Sequence, residues 1–350
     1  MIHRICTIAL VFVLSAAMPH STINTNTAET VIPSNDEIMC QIEDLLTEGY
    51  QEYYDIDHFD ITVCDDGTYF VEMTATLKAD SVEELDYYQG ALQYMAENSL
   101  AAETSHELID KLYNNLSNYI GTEQVLNFYI AADITPANRS ASCNLMFEDG
   151  LDYVSAEEIY PASHAELYNS GYSYMESSTE SGVESYSTST QNSNDPIFSV
   201  YKAVMYSDRY TSNPTSCNLH ENCGSLVDTT KYNPNYPHYA ANHIDCANFV
   251  SQTLYAGGIP TSTTWYAGAV NWISVRELCN YMLNNGYWES IDKSDLFVGD
   301  YMRYTGEGES HIVIITAHDG VSFRYSGHTR DRKDVVASLS GSKAFYHVTY

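Results

Sequence analysis

The run His311-Ile-Val-Ile-Ile-Thr316 constrains this chain more than any other. Ile312 to Ile315 is apolar at every position, so neither face of an extended segment there suits water. It reads as a central strand covered on both sides. His311 heads the strand, directly after the loop Gly306-Glu-Gly-Glu-Ser310, and Gly299-Asp300 turns into a preceding strand at Tyr301–Tyr304. Asp319-Gly320 follows, a type I′ hairpin signal, and then Val321–Tyr325. With Asp319 and Gly320 as the two turn residues, residue 318 faces 321, and counting back sets His311 opposite His328. Directly opposed residues hold their Cβ atoms about 4.5–5.5 Å apart on one face. Two imidazoles then lie side by side, with Ser326 one step away on that face.

A second feature lies upstream. Asp245-Cys-Ala-Asn-Phe-Val-Ser-Gln252 reads as the start of a short amphipathic helix that Gly257-Gly258 ends. Phe249, Val250, Thr253 and Leu254 share one face, and Asp245 is a suitable N-cap. Cys246 falls in the first turn, where unpaired N–H groups and the helix dipole favour a thiolate. A cysteine there, a histidine on a strand and a third polar group make a nucleophile–base–orienter set. Cys246 attacks an amide carbonyl. His311 stabilises the thiolate as imidazolium and protonates the leaving amine. His328 fixes the His311 tautomer, with Ser326 as the rival for that third place. The Cys246 backbone N–H, with Asn242 or His243, forms the oxyanion site, and Tyr236 and Tyr239 are candidate substrate contacts. Trp265, Trp272 and Trp288 read as packing residues.

Cysteine and charge usage bound the setting. Met1–Arg4 is a short basic segment and Ile5–Met18 an apolar run, with small residues at Ser15, Ala16 and Ala17. Residues 1–20 therefore read as a signal peptide, too short to span a bilayer comfortably. Of 8 cysteines, Cys6 leaves with that leader, and an odd number outside the cell points to a free thiol. Cys246 is the one to leave unpaired. Cys217 and Cys223 suit a small disulfide loop, the alternative being a zinc site with His220 and either His238 or His243. No cofactor or metal is called for. Residues 201–350 carry 11 basic and 14 acidic side chains, residues 1–200 only 4 against 33. So acidic a half repels nucleic acid and anionic lipid. The expected setting is secreted and extracellular.

Along the chain, residues 36–50 read as a helix opened by Ser34/Asn35, and His58–Lys78 as a hairpin turning at Asp66-Gly67. Ser81 with Glu84 has the form of a capping box. A helix follows around Ser105–Tyr119, then apolar runs at Leu126–Ile134 and Cys143–Phe147. These make an acidic α+β accessory domain over residues 34–165. Residues 166–195 have the composition of a Ser/Thr-rich linker, and residues 196–350 form the second domain.

Several motifs of that second domain fall in an order that resembles a known family. They are Tyr239-Ala-Ala-Asn-His-Ile-Asp-Cys-Ala-Asn-Phe-Val-Ser-Gln, Gly257-Gly-Ile-Pro, Trp272, Gly299-Asp-Tyr, the His311 strand and Gly327-His-Thr-Arg-Asp331. Together they resemble the amidase domain of bacterial secreted proteins, a group similar to the NlpC/P60 and CHAP cysteine hydrolases of papain-like fold. The resemblance covers roughly residues 200–350. It implies an α+β fold in which a helix carrying Cys246 packs on an antiparallel sheet carrying His311. It also implies hydrolysis of amide bonds, in cell-wall (peptidoglycan) peptides. Rival readings are a cysteine peptidase or acyl-transferase on proteins, and a non-catalytic wall-binding module. Ala247 stands where the family often has Thr or Ser.

Overall fold

The structure, a computed structural model, describes residues 32–98, 103–137, 140–188, 198–219, 225–242, 244–306 and 310–350. The expected leader, His243, and the His220 and Cys223 of the small loop lie outside these residues. The N-terminal half runs α1 (Asn35–Tyr50), β1 (Tyr54–Val63), β2 (Tyr69–Leu77), α2 (Asp86–Asn98), α3 (Glu103–Ser117), β3 (Glu123–Ala137), β4 (Ser140–Asp149), β5 (Asp152–Val154), α4 (Ala156–Ile159) and α5 (His164–Thr188). The C-terminal half follows with α6 (Val200–Tyr210), α7 (Cys246–Gly257), α8 (Val270–Ile273), α9 (Val275–Asn284), β6 (Trp288–Ile291), β7 (Tyr301–Tyr304), β8 (His311–His318), β9 (Phe323–Gly327), β10 (Arg332–Val336) and β11 (Lys343–Val348).

Local signals account for most of these elements. Ser34 caps α1 through a capping box with Glu37. β1 and β2 form the expected hairpin, with Gly67 at φ +86° in its turn. Ser81 makes no such cap: residues 82–84 form a 3₁₀ turn, and α2 begins at Asp86.

The expected linker is a helix as far as Thr188. Gly171 within that stretch serves a helix crossing, not flexibility. A Cβ on Gly171 would sit 1.7 Å from the Tyr87 carbonyl oxygen, and one on Gly90 would sit 1.8 Å from that of Tyr168. The two glycines let the backbones of α2 and α5 touch, and Leu167 and Met175 of α5 are buried.

The strands of both halves join in one sheet, ordered β1-β2-β3-β10-β9-β8-β7-β11-β6, with β4 beside β3 and β5 beside β4. The pairs from β6 to β10 are antiparallel, while β10 meets β3 in parallel at Val335 and Asn127. Asn127 strengthens that junction by donating its side-chain amide to the Lys333 and Asp334 carbonyls, 3.2 Å each.

β8 is central, and Ile312 to Ile315 are fully buried as its apolar run requires. Ile312 and Ile314 pack with Phe249, Val250 and Leu254 of α7. Val313 and Ile315 face the other way, into a core with Tyr304, Tyr325 and Tyr129. α7 lies between the sheet, α6 and α8, so Cys246 to Leu254 is buried on every side rather than along one stripe.

The charge imbalance has a structural counterpart where the halves meet. The Arg332 guanidinium donates to both Glu148 oxygens, Nε to Oε1 at 2.6 Å and Nη2 to Oε2 at 2.7 Å. It lies 3.5 Å above the Tyr129 ring. Lys343 pairs with Asp149 at 2.7 Å, and Asp149 also accepts from the Tyr304 hydroxyl. All four ion-pair partners are buried, so removing one leaves a charge in a dry interface. Arg332→Met is expected to cost about 3–5 kcal/mol of stability, and Arg332→Met/Glu148→Leu much less. Denaturant midpoints measure both; a single variant within about 1 kcal/mol of the parent contradicts this role.

Candidate functional site

The site is built around the start of α7. Asp245 is the N-cap residue but makes no side-chain cap bond. Its carboxylate turns back instead. Oδ1 accepts from the Tyr239 N–H (2.7 Å) and the Asn248 side-chain amide (3.0 Å), and Oδ2 lies 2.8 Å from His328 Nδ1. The capping acceptor comes from the other end of the sequence: Thr329 Oγ1 receives the N–H groups of Asp245 (3.0 Å) and Cys246 (3.1 Å). Thr329 holds φ at +92°, an outlier for a β-branched residue. Such strain persists where the surroundings over-determine it, and here two buried N–H groups depend on its hydroxyl.

Cys246 is a free cysteine, 5% exposed. Burial pushes its thiol pKa up; the Ile312 N–H, the Thr329 hydroxyl and the Ala247 N–H beside the sulfur oppose this, while the Asp245 carboxylate adds to it. The ionised thiolate expected from helix position alone is therefore not the form this arrangement favours, because desolvation outweighs the helix-start donors. Nor is the Cys246 N–H free for an oxyanion, since Thr329 accepts it.

His311 and His328 are not side by side. Asp319 Oδ1 accepts from the N–H groups of Val321 and Ser322, which widens the turn so that His318 faces Phe323. A bulge between Ile315 and Ala317 then shifts the register again, giving Ile314 opposite Ser326. The net slip is one residue, and one residue reverses the face. His311 pairs with Tyr304 on the face away from α7, its ring 5.6 Å from the tyrosine ring and its Nδ1 without a partner. Burial, then the Arg330 and Arg332 charges, lower its pKa to about 3, so it is neutral. Among the described residues no hydrogen bond joins it to Cys246.

His328 is held on every side. Its ring is sandwiched between Tyr232 (3.7 Å) and Phe249 (4.1 Å). Nδ1 meets the Asp245 carboxylate and Nε2 the Tyr210 carbonyl, 2.8 Å each. Two acceptors require two N–H donors, so the ring is an imidazolium. Burial pulls its pKa down, but the Asp245 hydrogen bond, the Asp331 and Asp245 charges and the Tyr210 carbonyl raise it overall. Neither nitrogen remains to orient His311. Ser326 is opposite Ile314, on the face turned from His311, and its hydroxyl accepts the Asp334 N–H at 3.0 Å.

The remaining candidates lie along the approach to α7. Asn242 is exposed and ends the 3₁₀ turn Ala240–Asn242. Tyr236 is half-buried and stacks 6.0 Å from Trp272, and Tyr239 is half-buried beside Gly268. The three tryptophans are buried packing residues. Cys217 is disulfide-bonded. Thr329, Tyr232 and Asp331 were not singled out from sequence as parts of this site. Asp331 accepts from the Tyr232 hydroxyl (2.6 Å) and the Asp228 N–H (2.7 Å), fixing the ring that covers His328. The order His328-Thr-Arg-Asp331 was the available signal.

The C-terminal half resembles a known family. Residues 198–349 match the family model described as "Putative amidase domain", a description that suggests amide hydrolysis. A Bacillus subtilis (strain 168) protein, "Uncharacterized protein YjcM", is 25% identical over 166 residues, which are 42% of this chain and 36% of that protein. The matched stretch thus covers well under two thirds of the relative's length. No solved structure is significantly similar.

Two outcomes follow. Thr329→Ala removes the acceptor of two buried N–H groups and is expected to cost about 2–4 kcal/mol, with Thr329→Ser retaining most of the stability; equal midpoints for all three proteins contradict the capping role. For His328 the folded pKa lies above the ordinary value of about 6.5. Its protonation therefore stabilises the fold in full below that value, and the contribution is lost as pH rises through the folded pKa. The stability gap between the parent and His328→Gln should narrow across that rise; a pH-independent gap contradicts it.

Proposed function

We propose that residues 196–350 form an exported cysteine amidase of papain-like, NlpC/P60-type architecture that cleaves amide bonds in cell-wall peptides. The observation that carries this reading is the free Cys246 thiol on the first residue of a buried helix, with the Ile312 and Ala247 N–H groups and the Thr329 hydroxyl at its sulfur. The thiolate adds to the amide carbonyl, the C–N bond breaks as the amine takes a proton, and water then hydrolyses the thioester to acid and thiol. His311 is the proposed proton carrier. It adjoins the Ile312 amide that meets the sulfur, but its side chain leaves β8 on the opposite face, so the start of the strand must shift before it can take the thiol proton. Tyr236, Tyr239 and Asn242 are the proposed substrate contacts, on the approach to the helix. Among the described residues no helix is long and apolar enough to cross a membrane.

A second reading has a specific observation in its favour. A protonated thiol and a neutral imidazole on opposite faces of β8 also suit a wall-binding module whose old site is idle. Mass spectrometry of wall digests separates the two. The parent protein is expected to release peptide products, and Cys246→Ala, still folded by circular dichroism, to lose more than about a thousandfold of the rate. Retained hydrolysis in the variant rules out the thiol mechanism. Wall binding by the parent without any product supports the idle site.

A further inference from the structure

A cavity of about 550 Å³ lies between the two halves, lined by none of the residues around Cys246. Its size is within the usual range for small-ligand sites. Residues of α4 and α5 and the segment joining them form one wall, and the β8–β9 turn, β10 and the segment after β10 form the other. Leu167, Val321, Phe323, Val336 and Leu339 make much of the lining apolar.

His318, the last residue of β8, contributes the most unusual group to that lining. It is fully buried, and neither ring nitrogen has a hydrogen-bond partner. The ring is clamped, stacked 3.7 Å from Phe323 and meeting Tyr87 edge-on at 4.6 Å. Tyr87 also lines the cavity, and its buried hydroxyl likewise has no partner. Buried polar groups are nearly always satisfied, and each exception asks for an explanation. Here two such side chains touch one another at the wall of one cavity.

Their chemistry selects the ligand. Burial and the Arg324 charge lower the His318 pKa to about 3, so the ring is neutral and offers one N–H donor and one bare nitrogen acceptor. Tyr87 adds a hydroxyl that serves either role. These groups lie just beneath the lining; a pair that both donates and accepts matches peptide amides once a ligand parts the rings that cover it, whereas a carboxylate or phosphate needs donors alone. Glu157, Glu158 and Glu166 also line the cavity against a single Lys293, which disfavours anions and favours an ammonium group. The apolar wall accommodates short aliphatic side chains.

We propose that this inter-half cavity binds a short peptide with a basic side chain, with His318 and Tyr87 hydrogen-bonding its amide groups and the glutamates facing the side-chain ammonium. This site is separate from Cys246 and does not depend on hydrolysis there.

The test uses the full chain with Cys246→Ala, so that no peptide is consumed. The tripeptides Ala-Ala-Lys and Ala-Ala-Glu are titrated while the ring nitrogens of ¹⁵N-labelled histidine are followed by NMR. Saturable binding of Ala-Ala-Lys that moves the His318 resonances is expected, with Ala-Ala-Glu at least about tenfold weaker. His318→Phe keeps the stacked ring without its nitrogens and is expected to weaken Ala-Ala-Lys by at least about tenfold. Leu339→Trp fills the cavity from its lining and is expected to abolish binding, so the test survives if His318→Phe does not fold. Absence of saturable binding, equal binding of the two peptides, or unchanged binding in Leu339→Trp overturns the proposal.

Discussion

The start of α7 depends on one buried carboxylate. Asp245 gathers the Tyr239 N–H, the Asn248 amide and the His328 imidazolium, and so ties the incoming loop, the helix and the segment after β9 at a single point. Thr329, next to His328, completes the join by accepting two N–H groups at the helix start. Because the pair is buried and fully hydrogen-bonded, it fixes geometry more than it adds net stability. What it fixes is the position of Cys246 over the Ile312 amide of β8.

The same sheet that receives α7 on one face covers the buried Glu148 and Asp149 ion pairs with the other. Arg332 and Lys343 neutralise Glu148 and Asp149 beneath the strands, and the Tyr129 and Tyr304 rings shield both pairs. His311 falls on that face and is held neutral by burial and by two nearby guanidinium groups. The N-terminal half is thus part of the environment of the strand that the proposed chemistry uses, not a detached accessory. The His318 cavity sits in the same seam, at the other end of β8.

Sequence reasoning reached the elements governed by local chemistry. The capped α1, the glycine turn of the β1–β2 hairpin, the Gly257–Gly258 end of α7 and the two-sided burial of Ile312–Ile315 all follow from side chains acting on their own neighbourhood. It missed what depends on tertiary partners. The turn at Asp319 is widened because its carboxylate binds two N–H groups of the turn and the Tyr54 hydroxyl from far away. That change and one bulge decide which way His311 points. Gly171 resembled a linker glycine because only its crossing partner, Gly90, reveals its purpose. Likewise His328 was recognised as important from its company, but its partner is Asp245 and not His311, a pairing set by the register.

The most direct test of the central claim is to quench the protein in acid during turnover of an acylated peptide amide and map any covalent adduct by mass spectrometry. The account predicts an acyl group bound as a thioester on the peptide that contains Cys246. Turnover with the acyl group on a different residue would contradict it.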